Sequence, residues 1–180
     1  MAVRQKHIRA LVNQLLEELG IQTGPVPVDK VANALGVEVR WEPADPDLSG
    51  FLVRDPKDRR AIIGVNSKHH KNRQRFTIGH ELGHFLLHQG EKVHVDSLDR
   101  AFEVKLRDED SSTGTDSDER EANLFAAELL MPASFLKEDL ANLDTLDLFR
   151  QDVLKPLARK YGVSTEALTF RLANLNYIQL

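Results

Sequence analysis

The pentapeptide HELGH at residues 80–84 is the feature that most constrains how this chain can fold. On a helix, His80 and His84 lie one turn apart, so both imidazoles project from the same face. With about 100° per residue, Glu81 lies within about 60° of His84 on the helical wheel. The opposite side of the wheel is an apolar stripe formed by Ile78, Leu82, Phe85 and Leu86. We therefore predict a helix over residues 73–88 with a histidine face and a core-facing back.

Two imidazoles one turn apart can chelate a metal ion. The chain contains no cysteine, so a zinc ion would have to be held by imidazole and carboxylate groups. We expect His80 and His84 to be two of the ligands and Glu81 to stand beside the ion as the general base. Catalytic zinc sites generally have three protein ligands, so one ligand must come from elsewhere in the chain.

The third ligand has three candidates. His88 lies one further turn along the helix, but a rise of 1.5 Å per residue puts it about 12 Å from His80, too far to share one ion. Residues 85–87 contain no glycine at which the chain would bend, so we interpret His88 as a supporting residue behind the ligands. The later stretch DEREANLFAAELLMP supplies Glu119 and Glu121. We expect one of these two carboxylates to complete the site.

Two segments carry a family resemblance. RQRFTIGHELGHFLLH, followed by EREANLFAAELLMP, resembles the ImmA/IrrE family of bacterial and phage metallo-endopeptidases, and the similarity extends to the carboxy-terminal GVSTEALTFRL. The resemblance implies that Glu119 is the third zinc ligand, in preference to Glu121. It also implies that Asn123 belongs to the layer of residues behind the ligands. The spacing agrees, because Glu119 and Asn123 are four residues apart on one helical face.

The same resemblance implies a function. The protein would be a zinc-dependent endopeptidase in which Glu81 takes a proton from water and later gives it to the leaving amine. Its substrate would be a specific intracellular protein, namely a helix-turn-helix transcriptional repressor, so that cleavage regulates gene expression. From the residues alone, the group that stabilises the oxyanion stays open among His88, Arg107, Tyr161 and Tyr177.

Bulk properties fit one cytoplasmic domain over residues 1–180. The chain has 180 residues, of which 41% are hydrophobic, and it contains neither a signal-like amino terminus nor an apolar run long enough to cross a bilayer. Its net charge of −4 gives no general reason to attract nucleic acid. We therefore expect a protein partner, no membrane association and no direct binding of nucleic acid.

The periodicity of apolar residues predicts an α+β, zincin-like fold, with a small β-sheet packed on the HELGH helix and a helical carboxy-terminal part. The predicted strands are 37–41, a hairpin of 50–53 with 61–65, and 102–106. The hairpin or the last strand is either a sheet edge for substrate binding or a plain core strand, and both interpretations stay open. Besides 73–88, the predicted helices are 2–19, 29–35 with Asp29 as its cap, 118–131, 132–141, 146–161 and 165–175. The acidic stretch 108–117 is predicted to be a mobile loop near the mouth of the cleft.

Two rival functions follow from other features. Residues 157–175 resemble a helix-turn-helix, with Gly162 in the turn and Ser164 or Thr165 starting a second helix that would bind DNA. That helix has only Arg171 as a basic residue and several apolar ones, so we favour a packing role. The basic segment 68–75 is interpreted as a solvated entry to the HELGH helix rather than as a phosphate-binding patch. The other rival is a regulatory module in which zinc only stabilises the fold, which the absence of a fourth protein ligand disfavours.

Overall fold

The computed structural model describes residues 4–55, 60–88, 93–97, 114–141 and 150–179. Within them, the helices are α1 (Gln5–Glu18), α2 (Val28–Ala34), α3 (Lys71–Leu87), α4 (Gly114–Leu130), α5 (Ala133–Asp139), α6 (Gln151–Tyr161) and α7 (Thr165–Asn174). The strands are β1 (Val37–Glu42), β2 (Leu48–Asp55), β3 (Arg60–Asn66) and β4 (Val93–Ser97). None of the described helices has both the length and the apolar character of a membrane span.

The strands form one sheet in the order β1-β3-β2-β4. Strand β1 runs parallel to β3, and β2 runs antiparallel to both β3 and β4. The predicted hairpin of β2 and β3 is confirmed, but both of its strands have neighbours on both sides. Of the two interpretations of the hairpin, the core position is therefore confirmed and the edge position is excluded, because within the described residues the edges are β1 and β4. The predicted strand 102–106 lies outside the described residues.

Helix α3 is the centre of the fold, since it contacts β2 and β3 of the sheet and also α4. Two residues of its predicted apolar back are buried, with Ile78 2% and Leu82 0% exposed, whereas Phe85 and Leu86 are partly buried and pack against the core. Sheet strands and helices therefore share one core, and the predicted α+β class with a small sheet packed on the HELGH helix is confirmed.

Helices α3 and α4 approach each other closely at two glycines. A Cβ atom added to Gly83 would lie 2.8 Å from the Cα of Ala122, and one added to Gly79 would lie 3.3 Å from the Cα of Ala126. Glycine inside a helix costs about 1 kcal/mol relative to alanine, and here the missing side chains let the two backbones meet. The close approach brings the amino-terminal part of α4 to the histidine face of α3.

Several predicted boundaries shift. The second helix has Pro27 as its N-cap, so Asp29 lies in the first turn and the prediction that it caps the helix is wrong. Helix α4 begins at Gly114 rather than at residue 118. The prediction of a loop is therefore wrong for residues 114–117, and residues 108–113 lie outside the described residues.

The carboxy-terminal helices form the predicted turn. Gly162 has a left-handed φ of 64°, and the Ser164 hydroxyl accepts a hydrogen bond of 3.0 Å from the amide of Ala167, which starts α7. Arg171, however, is 2% exposed, and its guanidinium pairs with the buried carboxylate of Glu128. Its charge is directed into the core rather than towards a phosphate backbone, as the packing interpretation expects.

Candidate metal centre

Three side chains converge between α3 and α4. Nε2 of His80 lies 3.0 Å from Nε2 of His84, and the Glu119 carboxylate oxygens lie 3.5 Å and 3.4 Å from these two nitrogens. Four ligands at about 2.0–2.2 Å in a tetrahedron have donor atoms roughly 3.3–3.6 Å apart. The two distances to Glu119 lie in this range and the distance between the imidazoles is slightly shorter, so the three groups lie close enough together to share one zinc ion.

Burial and charge make this group a candidate cation site. His80 is 0% exposed, His84 is 4% exposed and the side chain of Glu119 is 17% exposed. Burial by itself raises the pKa of Glu119, but hydrogen bonds and charge interactions with the two histidines lower it, and the net pKa lies well below the usual range. The carboxylate is therefore ionised at neutral pH, facing two imidazoles that present nitrogen donors.

Glu81 has a different position. It is fully buried on α3, next in sequence to His80, and it contributes no atom to the group of His80, His84 and Glu119 that could hold the ion. A buried carboxylate that follows a candidate ligand in sequence, without being a ligand itself, suits proton transfer better than coordination.

The remaining two predicted residues lie behind the histidines. Nδ1 of His80 is 3.0 Å from Oδ1 of Asn123, and Nδ1 of His84 is 3.2 Å from Nδ1 of His88. These contacts use the ring nitrogens that face away from Glu119. They are the arrangement in which an outer partner fixes the tautomer of a metal ligand.

Glu121 points away from the group of three donors. Its carboxylate accepts hydrogen bonds from the side chain of Arg4, including one of 3.0 Å, and lies 3.3 Å from Nε2 of His88. The bonds from Arg4 are the main reason that the pKa of Glu121 is lowered to about 2. The geometry therefore places Glu119, and not Glu121, beside the imidazoles of His80 and His84.

Comparison with known proteins bears on this site. The family model described as the IrrE N-terminal-like domain, a peptidase family, matches residues 32–173. The chain belongs to the IrrE N-terminal-like family. A metallopeptidase-type function is therefore supported, and the matched residues include both the HELGH helix and Glu119.

Solved structures show the same fold. The chain is similar to a Mycobacterium tuberculosis transcriptional regulator, with 17% sequence identity and a TM-score of 0.60 over 93% of this chain. It spans 46% of that protein's length. A comparison with curated proteins found no match.

In this IrrE N-terminal-like domain, an arginine of the sheet forms hydrogen bonds with the carboxy-terminal end of α3. Nη2 of Arg54 on β2 donates to the backbone oxygens of His84 and His88, at 2.6 Å and 2.9 Å. These carbonyls belong to the last turn of α3, where a cation is favoured by the helix dipole. Sequence reasoning missed Arg54, because nothing in the local pattern connects it to a helix end 30 residues away.

Of the four oxyanion candidates, the structure removes Tyr161. Its hydroxyl donates a hydrogen bond of 2.7 Å to Asp139, and the residue is fully buried in the core. Arg107 lies outside the described residues, and Tyr177 packs against the core. His88 stays close to the candidate ligands.

The basic segment 68–75, which runs into the first turns of α3, is more structured than expected. Arg73 donates to the hydroxyl of Ser49 at 2.8 Å, and Arg75 donates to the backbone oxygen of Val26 at 2.9 Å. Lys68 and Lys71 are exposed. The prediction of a solvated entry therefore holds for the lysines and is wrong for the two arginines, which connect α3 to strand β2 and to the loop before α2.

Proposed function

We propose that the chain is a zinc-dependent endopeptidase that cleaves one specific intracellular protein, a helix-turn-helix transcriptional repressor, and so regulates gene expression. The observation that carries the zinc chemistry is the convergence of His80, His84 and Glu119, with donor atoms 3.0–3.5 Å apart. The family membership supports peptide hydrolysis. The identity of the substrate rests on the resemblance and on the similarity to a transcriptional regulator.

His80, His84 and Glu119 would hold the ion. A bound zinc ion supplies a Lewis acid that activates water for attack on a peptide carbonyl. Glu81 takes the proton of the attacking water and delivers it to the leaving amine, so one carboxylate serves as base and then as acid. Asn123 and His88 orient the two imidazoles.

The substrate would bind as an extended segment beside β4. Among the described strands, β4 lies at an edge of the sheet, and its neighbour β2 carries Arg54, which contacts the end of α3. Backbone pairing at the edge provides affinity without side-chain readout. Specificity would then depend on which proteins expose an extended segment, and activity towards unfolded proteins in general should be low.

The decisive experiment compares wild-type protein with Glu81→Gln. Zinc content, measured by elemental analysis, should be unchanged in the variant. Cleavage of the candidate substrate, a helix-turn-helix repressor encoded by a neighbouring gene, should fall by several orders of magnitude. A casein-like substrate tests specificity in the same assay. Cleavage of the repressor that is equal in the two proteins would overturn the assignment of Glu81.

A second candidate function is a zinc-stabilised interaction module without peptidase activity. It predicts that wild-type protein and Glu81→Gln bind the repressor equally well and that neither cleaves it. Direct binding of DNA by α7 is less well supported, because the guanidinium of Arg171 is buried against Glu128. Tight binding of a DNA fragment that weakens as salt is raised would favour that alternative.

A further inference from the structure

The two candidate histidine ligands differ in what lies behind them. His80 meets the amide of Asn123, where the contact involves a neutral group. His84 meets a second imidazole, His88, which in turn lies 3.3 Å from the Glu121 carboxylate. In the part of the chain that the structure describes, the His84 branch leads on through these contacts to a charged group.

The ring nitrogens on this branch determine one another. If Nε2 of His84 presents its lone pair to a metal, its proton is on Nδ1. Nδ1 of His88, 3.2 Å away, must then accept that proton's hydrogen bond. His88 consequently carries its own proton on Nε2, which lies towards the Glu121 carboxylate. Nε2 of His88 also lies 3.6 Å from Oδ1 of Asp118, whose side chain is half exposed. The shorter contact, to the buried Glu121 carboxylate, is the one that holds His88 in the tautomer that His84 needs.

Glu121 is held in turn by Arg4 at the start of the described chain. The Arg4 backbone amide donates to Oε1 at 3.2 Å, and its Nε donates to the same oxygen at 3.0 Å. Arg4 is also the N-cap residue of α1, and its own side chain makes no capping hydrogen bond to that helix. An ionised carboxylate at this end is favoured by the helix dipole. The position of Glu121 is therefore stabilised in three ways, by Arg4, by the amino-terminal end of α1 and by His88.

We propose that Arg4, Glu121 and His88 form a positioning relay that fixes the orientation and tautomer of His84, so that the beginning of α1 sets the metal affinity of the site. None of the three residues is a metal ligand. The relay rests on the zinc site of the proposed function, but it does not require peptide cleavage.

The chain contains a matched control. Arg9 is also on α1 and also pairs with a glutamate of α4, Glu128, with Nε 3.4 Å from Oε2. The side chains of Arg4 and Arg9 are 49% and 47% exposed. Loss of either arginine weakens the contact between α1 and α4, but only Arg4 connects to His84.

The test measures zinc affinity by competition with a chromophoric chelator in the wild type, Arg4→Ala, Glu121→Gln, His88→Phe and Arg9→Ala. Loss of an outer partner typically lowers metal affinity by about 10- to 100-fold, and we expect this for the first three variants. Arg9→Ala should bind zinc as the wild type does. The Arg4→Ala and Glu121→Gln effects should not add in the double variant, because both changes interrupt the same relay.

A spectroscopic readout separates positioning from a general loss of structure. With cobalt in place of zinc, the visible spectrum reports the ligand geometry, and it should change in Arg4→Ala and Glu121→Gln but not in Arg9→Ala. Arg4→Lys, which keeps the charge, should recover part of the affinity.

Unchanged affinity and cobalt spectrum in Arg4→Ala would overturn the relay. Equal losses in Arg4→Ala and Arg9→Ala would overturn it as well, because they would show that helix docking alone matters. Failure of the proposed function looks different, since a zinc-loaded protein that cleaves nothing still shows these affinity differences.

Discussion

Helix α4 carries two carboxylates, Glu119 and Glu128, that differ in their partners. Near its amino-terminal end, Glu119 faces the imidazoles of His80 and His84. Near its other end, Glu128 is 1% exposed and pairs with the guanidinium of Arg171. It also accepts a hydrogen bond of 3.0 Å from the amide of Ala133 and lies close to Arg9.

The difference in partners shows why Glu119, and not Glu128, belongs to a candidate metal site. Arginine is always protonated, so Glu128 has its countercharge within the protein and its site is complete. Imidazole is neutral when its lone pair is presented to a metal, so Glu119 retains a charge that a cation can balance. One helix can therefore carry a structural ion pair and a candidate metal centre. Which of the two forms depends on whether arginine or histidine faces the carboxylate.

The largest effects are expected from removing the two carboxylates. Glu119→Gln should weaken zinc binding by more than the roughly 10- to 100-fold typical of outer residues, because a ligand itself is altered. Glu128→Gln should leave zinc affinity unchanged but lower the free energy of unfolding by roughly 3–5 kcal/mol, since it leaves Arg171 buried without a countercharge. Chelator competition and urea unfolding measure the two quantities. Zinc affinity that drops equally in both variants would refute the division between the sites.

Zinc itself should stabilise the fold by a smaller amount. With free zinc at 100 times the dissociation constant, the gain is about 2.7 kcal/mol, which thermal unfolding with and without EDTA would detect. Glu119→Gln should show no such gain at the same zinc concentration, whereas Glu128→Gln should keep it. A stabilisation by zinc that survives in Glu119→Gln would place the ion elsewhere.

The contact between α3 and α4 can be tested at Gly83. Alanine there would bring its Cβ 2.8 Å from the Cα of Ala122, and such overpacking costs about 1–3 kcal/mol. Because the helices must separate, zinc affinity should fall as well. Gly79→Ala is the matched control, since its nearest contact is 3.3 Å and a smaller loss of both quantities is expected. Equal behaviour of the two variants would mean that this packing does not set the ligand spacing.

The smallest effect concerns the helical part at alkaline pH. Burial and the hydrogen bond to Asp139 raise the pKa of Tyr161 well above its usual value. Its contribution to stability is therefore fully present below about pH 10 and is lost as the pH rises further, by up to about 1.4 kcal/mol per pH unit. Unfolding measured between pH 9 and 11 should show a steeper decline for wild type than for Tyr161→Phe. Parallel declines would show that this group does not contribute.

Local periodicity was enough for most elements of the fold. The HELGH helix, the hairpin and strand β1 have strong repeating patterns, and the predictions agree with the structure. Strand β4 was missed, although Val93 and Val95 alternate with polar residues, because five residues give a weak signal. The sequence left open whether the hairpin lies at an edge or in the interior of the sheet, since pairing on both sides of β2 and β3 involves segments distant in sequence.

The sequence by itself determined the helix with two histidines on one face, the absence of thiol ligands and the two candidate carboxylates, because these follow from residue identity and a fixed helical period. Tertiary structure decided which carboxylate meets the imidazoles. Glu119 and Glu121 are two residues apart on one helix, so they point in different directions, and only the approach of α3 at Gly83 and of α1 through Arg4 assigns each its partner. Such contacts depend on how separate elements pack, which local patterns do not encode.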